Sequence, residues 1–524
     1  MQSVQGSPAM TTSGSFLPSS SKAFIKWALL ATVAIINGYA TILMYSRGET
    51  AFAMLTVVLT ALALYIFGNK KMYAQRYIYP GIAGMILFII FPLVYTVGLS
   101  LTNYSAKNQL SFERAQSVLL ERTFQSGQSY PFALYQTPSG TRLVIDKAGE
   151  RFATAPFDMA SMSNKTLALS PVESLSGEKA TLRDVIKNRD TLSQVDVQFP
   201  NGDTIRMSGL RKFAAEQPLY TLQDDGRALI NNKTGDTLKP NDEIGFYQPI
   251  DEAGQFIGDT VAPGYVVQIG TDNFERVWTD DGIKEPFIGI FIWTIVFSLL
   301  TVVFTLIIGL ILANVVQWEE LKGRAIYRVL LILPYAVPAF ISILIFRGLF
   351  NQSFGEINMV LEALFGISPN WFDDPFLARV MVVLVNTWLG FPYMMILCMG
   401  LLKAIPDDLY EASAIDGANF IQNFTRITLP LMIKPLMPLL IASFAFNFNN
   451  FVMIMLLTEG GPNMIGTTEP AGYTDLLVSY TYRIAFEGGG GQDFGLASAV
   501  ATLIFLLVGA LALINLRLTK VTES

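Results

Sequence analysis

The sequence predicts a polytopic α-helical membrane protein with eight transmembrane helices and a β-rich domain inserted between helices 3 and 4. Three observations predict it. Of the 524 residues, 52% are hydrophobic and only 15% charged, against roughly 25% charged in soluble domains. Apolar runs long enough to cross a bilayer recur along the chain, and one long polar block interrupts them. The same composition excludes several functions. A net charge of -6 without a basic stripe leaves no footprint for nucleic acid. The single cysteine, Cys398, lies in an apolar run, so neither an internal disulfide nor a cysteine-rich metal site can form. The absence of histidine removes Ser-His-Asp and Cys-His catalysis and histidine-ligated zinc or haem.

About 20 apolar residues cross a bilayer as a helix. The runs at 27–45, 51–68 and 78–101 supply three spans, and those at 287–316, 329–346, 380–402, 429–457 and 496–516 supply five more. Lys and Arg orient them. Lys70, Lys71, Arg76, Lys322, Arg324, Arg328, Lys403 and Arg426 fall on the segments that a cytoplasmic N-terminus places inside, whereas the short outer loops hold only Arg47, Arg347, Arg379 and Arg483. Both termini are therefore expected in the cytoplasm. Residues 1–103 form the N-terminal part with helices 1–3, 104–284 an outward-facing domain, and 285–524 helices 4–8 with a cytoplasmic loop at 403–430.

Within 104–284, short runs such as TRLVIDK, VDVQF, TIRMSGL, EIGFYQPI and YVVQIG alternate with PNGD, DDG, NKTGD and APG turns, the pattern of a β-rich domain. Some 180 residues suffice to bury a core without disulfides. A block of that length is more than a connector and reads as a docking domain for an external partner.

The cytoplasmic loop has an organisation of its own. Pro406 stands where a first helical turn tolerates it, and Asp407 and Asp408 where the helix dipole favours acids. Glu411, Ala412, Ser413 and Ala414 keep the helix surface small, and Gly417 can supply the left-handed residue that ends it. A solvated connector would also fit this pattern.

Two polar faces occur inside the spans. Ser443, Phe446, Asn447 and Asn450 stand at i, i+3, i+4 and i+7, as do Asn386, Leu389, Gly390 and Tyr393, and Tyr335 follows the Leu-Pro of the fifth span. Uncharged amides beside aromatic planes suit a neutral, hydroxyl-rich ligand. Asn and Ser also serve as ordinary interhelical glue.

Glu411, Ala412, Asp416, Gly417, Ala418, Ile427, Leu429 and Pro430 reproduce the E-A-A, D-G-A, I-x-L-P loop of ABC importer permeases, with Ser413 where the family usually has alanine. The stretches LLILPYAVPAFISILIF, NTWLGFPYMMILCMGLLKAIPDDLYEAS, FAFNFNNFVMIMLLTEGGP and YTYRIAFEGGGGQDFG extend the likeness over almost the whole chain, which resembles the maltose/maltodextrin permeases of the binding-protein-dependent importer family. The resemblance implies an ABC type I importer permease fold in a bacterial inner membrane, with residues 104–284 periplasmic. It implies that Glu411, Ala412, Ser413, Asp416, Gly417 and Ala418 couple to a cytoplasmic ATPase, and that Tyr335, Asn386, Leu389, Gly390, Tyr393, Ser443, Phe446, Asn447 and Asn450 line a sugar site. The implied partners are a second permease of MalG type, two copies of a MalK-type ATPase subunit and a periplasmic maltose-binding protein.

No catalytic residue, metal site or cofactor is expected in this chain. ATP and magnesium would be bound by the partner ATPase, since no G-x-x-x-x-G-K-[ST] phosphate loop is present. A permease for another neutral oligosaccharide is the nearest alternative. A secondary carrier is the more distant one, because the predicted spans contain no Asp or Glu and only Lys434 as a charge.

Overall fold

The computed structural model describes residues 19–159, 166–174, 177–488 and 492–523. Residues 1–18 and Ser524, expected at the cytoplasmic face, and three glycines of the stretch 480–495 lie outside them.

One compact unit ends at Gly98. It holds α1 (Ser19–Ser46), α2 (Thr50–Gly68) and most of α3 (Gln75–Ser100); α2 and α3 lie within three residues of the expected runs, and α1 begins eight residues earlier than its own. Apolar side chains cover most of their exposed surface, as lipid-facing helices require. Two polar side chains bond between neighbouring helices. Asn37 Nδ2 donates to Thr60 Oγ1 at 2.8 Å, and the Tyr79 hydroxyl to the Leu59 carbonyl at 2.6 Å.

The second unit, Leu99–Ser524, contains the β-rich domain and the remaining helices. Its larger sheet comprises β1 (Thr123–Thr137), β2 (Gly140–Lys147), β3 (Glu150–Thr154), β4 (Thr166–Pro171), β5 (Glu178–Lys179), β6 (Asp196–Gln198), β7 (Thr204–Gly209) and β8 (Lys212–Pro218) in the order β2-β3-β4-β6-β7-β8-β1-β5. The first half of β1 pairs with β8 and its second half with β2, so the order returns on itself. Among the described strands, only β4 and β6 pair in parallel. Alternation sends Leu143, Ile145, Val197, Ile205 and Phe213 into one core.

A smaller sheet of β9 (Tyr220–Leu222), β10 (Leu229–Asn231), β11 (Thr237–Asn241) and β12 (Phe246–Pro249) closes over Leu119, Leu229 and Tyr247. The run YVVQIG, expected as a strand, makes only isolated bridges, Tyr265 to Leu110 and Gln268 to Thr102. The side chains of Asn103 and Asn108 reach the Tyr265 carbonyl and take up the pairing a strand would offer. The last residues of the expected domain are helical. Asp272–Thr279 buries Val277 among the span helices, and Asn273 donates to the carbonyls of Ser100 and Thr102.

The membrane core is built on α4 (Asp281–Gln317). After it come α5 (Arg324–Ala336), α6 (Ala339–Leu349), α7 (Glu356–Phe365), α8 (Pro375–Leu402), α9 (Asp407–Ile415), α10 (Phe420–Phe448), α11 (Phe451–Leu457), α12 (Leu477–Phe486) and α13 (Phe494–Glu523). Among the described residues, six helices are long and apolar enough to cross a membrane, and α5 with α6 makes a seventh if the bent pair counts as one span. In α13 the described apolar portion is Phe494–Ala510.

Two expected spans are broken. The run at 329–346 bends by 91° between α5 and α6, because Pro338 has no N–H to donate and holds Val337 in an extended conformation (ψ 131°). The run at 429–457 stops at Phe448. Asn450 leaves the helix and caps α11 by accepting from the Met453 N–H at 3.4 Å, the preference of Asn for such positions winning over apolar continuity. Pro435 and Pro438 lie inside an uninterrupted helical stretch, Leu429–Phe448.

Beyond α11, the loop to α12 is pinned by a buried cluster. The Asp475 carboxylate accepts from Arg483 Nη1, Ser479 Oγ and the Gly472 N–H, each at 2.8 Å. Burial pushes this carboxyl up to about 6 against the pull of the Arg483 guanidinium.

Residues 104–270, ending before the helix that belongs to the membrane core, are expected to fold alone as a β-rich domain without disulfides, with a β-type circular dichroism spectrum. The Asp196 carboxyl is held below the usual range chiefly by the hydrogen bond from Arg206, and those of Asp184 and Asp225 by bonds from Thr181 and from the Arg227 N–H. Depressed folded-state values stabilise above the unfolded pKa and lose that contribution as pH falls, so the midpoint of thermal unfolding should drop as the fragment is acidified below about pH 4.

Candidate functional site

Two regions bring the predicted residues together. The first is a polar junction inside the membrane core, where α4, α8 and the end of α10 meet. Close approach comes first: a Cβ on Gly309 of α4 would lie 2.7 Å from the Met395 nitrogen and 2.8 Å from Met394 Cβ of α8, and one on Gly390 of α8 would lie 2.9 Å from Thr305 Cγ2 of α4. Glycine at both positions lets the two backbones meet, as small residues do between membrane helices. At this contact Asn386 Nδ2 donates to Asn447 Oδ1 at 2.7 Å and to Thr301 Oγ1 at 3.3 Å, while Asn386 Oδ1 accepts from Asn450 Nδ2 at 3.2 Å. Asn447 Nδ2 in turn donates to the Ser443 carbonyl at 2.8 Å. Asn386 and Asn447 are buried and Asn450 half-buried.

The three amides thus satisfy one another, which is what an amide cut off from water requires. Not every expected member of the two faces joins them. Gly390 serves helix packing, and Leu389 packs at the edge of the apolar cluster around Trp293 and Val382. Phe446 turns away from its neighbour Asn447 and is 72% exposed, and Tyr335 and Tyr393 are exposed as well. A four-residue spacing puts residues on one side of a helix but spreads them over an arc wide enough to separate a buried amide from an exposed ring. Thr301 was missed because its contribution is visible only from the packing of α4 on α8.

The second region is the segment from Pro406 to Asn423. Pro406 caps α9 with extended ψ (135°), Asp407 and Asp408 fill its first turn, and Gly417 ends it at φ +74°. The Gly417 N–H donates to the Ala414 carbonyl at 3.1 Å and the Ala418 N–H to the Ser413 carbonyl at 2.9 Å, the paired bonds of a Schellman stop. Two residues on, Asn419 and Gln422 cap each other reciprocally at 2.9 Å and start α10. The Tyr410 hydroxyl and Thr428 Oγ1, 2.8 Å apart, tie α9 to the first turns of α10.

Glu411, Ala412, Asp416 and Gly417 are exposed and Ala418 half-buried. Ser413 is not part of that surface: it is buried, and its hydroxyl donates to the Tyr410 carbonyl at 2.8 Å, so its small size serves the chain's own packing. The exposed surface also has an apolar component that the residue pattern did not single out. Ile415, Phe420 and Ile421 are 87%, 76% and 70% exposed on either side of the Gly417 turn. Their signal in the sequence was large apolar residues in the middle of a connector, outside the two apolar runs it joins.

Three family models match the chain. Residues 24–71 match the MalF N-terminal region with its transmembrane helices, residues 110–270 the P2 domain of the maltose transport system permease protein MalF, and residues 305–520 the binding-protein-dependent transport system inner membrane component. The maltose/maltodextrin transport system permease protein MalF of Vibrio parahaemolyticus is 75% identical over 523 residues, covering 100% of both chains. The protein of the same description from Klebsiella aerogenes is 59% identical over 499 residues, 95% of this chain and 96% of its own. Among solved structures, a bacterial ABC transporter involved in the import of the acidic polysaccharide alginate aligns with 48% of this chain and 84% of its own at 22% identity and a TM-score of 0.41.

Replacing Asn386 by leucine is expected to lower the thermal unfolding midpoint in detergent, since it strands donors or acceptors on Asn447 and Asn450 at about 1 to 3 kcal/mol. Once Asn386 is gone, Asn447→Leu should cost less than it does in the parent protein. Additive losses in that double-mutant cycle would show that the amides do not act as one cluster.

Proposed function

The chain belongs to the MalF family of maltose/maltodextrin transport permeases, and from that premise we propose how its parts serve an ATP-driven importer. It is a permease subunit, not an enzyme, and contributes half of a membrane pathway for maltose and maltodextrins. In this reading the chain crosses the membrane eight times, with α13 as the eighth span, both termini and α9 in the cytoplasm and residues 104–284 in the periplasm. A second permease of MalG type covers the exposed faces of the core, two MalK-type ATPase subunits bind below with ATP and magnesium, and a maltose-binding protein delivers sugar to the β-rich domain.

The observation that carries this reading is the surface around Gly417. A short helix stopped sharply, an exposed Glu411 and Ala412, and the exposed side chains of Ile415, Phe420 and Ile421 form a small protruding knob, apolar with an acidic flank. Such a knob fits a cleft in a partner with an apolar floor and a basic rim. Inside the membrane, the amide junction holds α4, α8 and α10 in register. The exposed rings of Tyr335, Tyr393 and Phe446 offer apolar planes against which a pyranose can stack, and Asn450 and Ser443 lie at the edge of the junction where sugar hydroxyls can exchange for protein partners.

Maltose uptake measured beside ATP hydrolysis in vesicles containing the assembled importer tests both parts. Gly417→Val puts a β-branched residue at φ +74°, a strain of about 1 kcal/mol or more, with no neighbour within 4 Å to clash. The expected result is weakened ATPase attachment and loss of sugar-stimulated hydrolysis while the chain remains folded; undiminished coupling would overturn the docking role.

Phe446→Ala should act at the other site. Loss of a stacking plane worth about 1 kcal/mol lowers apparent sugar affinity about fivefold, with ATPase attachment unchanged. Normal uptake at low maltose concentration would remove Phe446 from the pathway.

A further inference from the structure

We propose that α7 is an interfacial helix, lying in the phospholipid interface at the end of the spans from which the β-rich domain emerges, with its Met359, Val360, Ala363 and Leu364 face against lipid. The helix has two apolar sides. On one, Ile357 and Leu361 pack against the cluster of Trp293, Phe350 and Trp371. On the other, Met359, Val360 and Leu364 are 61%, 55% and 69% exposed. A helix apolar on both sides is not a water-facing connector.

Its depth follows from how it is pinned. At the N-terminal end it is pressed against the end of α6: a Cβ on Gly355 would strike the carbonyl oxygens of Leu349 and Asn351. Across its middle, Asn358, itself buried, donates to the carbonyls of Pro369 and Gln352 at 3.0 and 3.3 Å and accepts from Trp371 Nε1 at 2.8 Å, four residues before α8 begins. The helix therefore cannot leave the ends of α6 and α8.

Those ends lie at the membrane boundary. At 1.5 Å per residue α4 is about 55 Å long, well beyond the roughly 30 Å of hydrocarbon. Counting about 20 residues back from Val316 puts the far edge of the hydrocarbon near Phe297, at the level of Trp293, and Trp293 and Phe297 share one cluster with Phe350 and Trp371. Arg347 at the end of α6 pairs with Glu459 at 2.8 Å, and Arg379 near the start of α8 donates to the Tyr473 carbonyl at 2.8 Å. These charged groups mark the aqueous side of the same level. An amphipathic segment held at that depth buries its apolar face among headgroups and upper acyl chains; the exposed Glu362 lies off that face, and the exposed Glu356, which shares it, stands in the first turn of the helix, where its carboxylate reaches the headgroup layer.

The full chain, assembled with its partner subunits in phosphatidylethanolamine and phosphatidylglycerol vesicles, carries one cysteine. In a Cys398→Ala background, a nitroxide is attached in turn at Met359→Cys, Leu364→Cys and Glu362→Cys, and its collision rates with oxygen and with a water-soluble nickel chelate are compared. The expected result is an oxygen rate several-fold above the nickel rate at positions 359 and 364, with the order reversed at 362. Nickel exceeding oxygen at 359 and 364 would place the face in water, and low rates for both reagents would show a protein cover; either overturns the proposal. Labels at Val360→Cys and Ala363→Cys repeat the measurement on the same face if one variant fails to assemble.

Discussion

Water does not reach the middle of a bilayer, so a polar group placed there must find its partner inside the protein. In this chain that constraint is concentrated at Asn386. Its side chain bonds to Thr301 of α4, to Asn447 near the end of α10 and to Asn450 at the cap of α11. Apolar contacts alone cannot fix the register of membrane helices, because lipid tails are as apolar as leucine. What selects one arrangement is the set of contacts lipid cannot mimic: the close approaches at Gly309 and Gly390 and the amide bonds beside them. Buried apolar clusters lie on either side of the junction, around Met381 and Met453 and around Met395 and Met432.

The sequence made the spans, the inserted β-rich block and the turn at Gly417 legible, because each rests on a local rule. Hydropathy over 20 residues needs no tertiary information, and neither does glycine after a helix that opens with Pro406 and two aspartates. The breaks were less visible. A hydropathy run continues across Val337–Pro338 and Asn449–Asn450 as if nothing happened there, since every flanking residue is apolar; only backbone geometry shows the chain turning through 91° at the first. The four-residue spacing that united Ser443, Phe446, Asn447 and Asn450 assumed one continuous helix, and the helix ends between the third and fourth of them. Which residue of such a face turns inward is decided by its neighbour. Asn447 points to Asn386, and Phe446 is left outside.

The polar block shows the same division. Alternation and turn residues located most of its strands, whereas YVVQIG makes only isolated bridges: its Tyr265 carbonyl is taken by the side chains of Asn103 and Asn108, some 160 residues earlier, and its other bonds are scattered over Leu101, Asn103, Leu110 and Gly245. Ser413 is another case. Its size suited a contact surface, but Tyr410 and the tie to Thr428 turn that side of α9 toward α10, leaving contact to Glu411, Ala412 and the apolar residues around Gly417.

The two functional regions are joined by one element. α10 runs from Phe420, just after the Gly417 turn, to Phe448, just after Asn447, about 43 Å at 1.5 Å per residue. Its lower end is bonded to α9 through Tyr410 and Thr428, and its upper end to α8 through Asn447 and Asn386. α10 is continuous, but a π-turn at Phe424–Thr428 and the prolines Pro430, Pro435 and Pro438, which have no N–H to donate, interrupt its regular bonding, so a shift of α9 that keeps the Tyr410 contact can bend α10 as well as displace Asn447. At the upper end the backbone is interrupted at Asn449–Asn450, so α11 need not follow. A displacement arriving there would meet the amide bonds among Asn386, Asn447 and Asn450, whose side chains each carry both donors and an acceptor. The break after Phe448 therefore ends the helix that leads up from the Gly417 turn on a polar contact, the bond from Asn386 to Asn447.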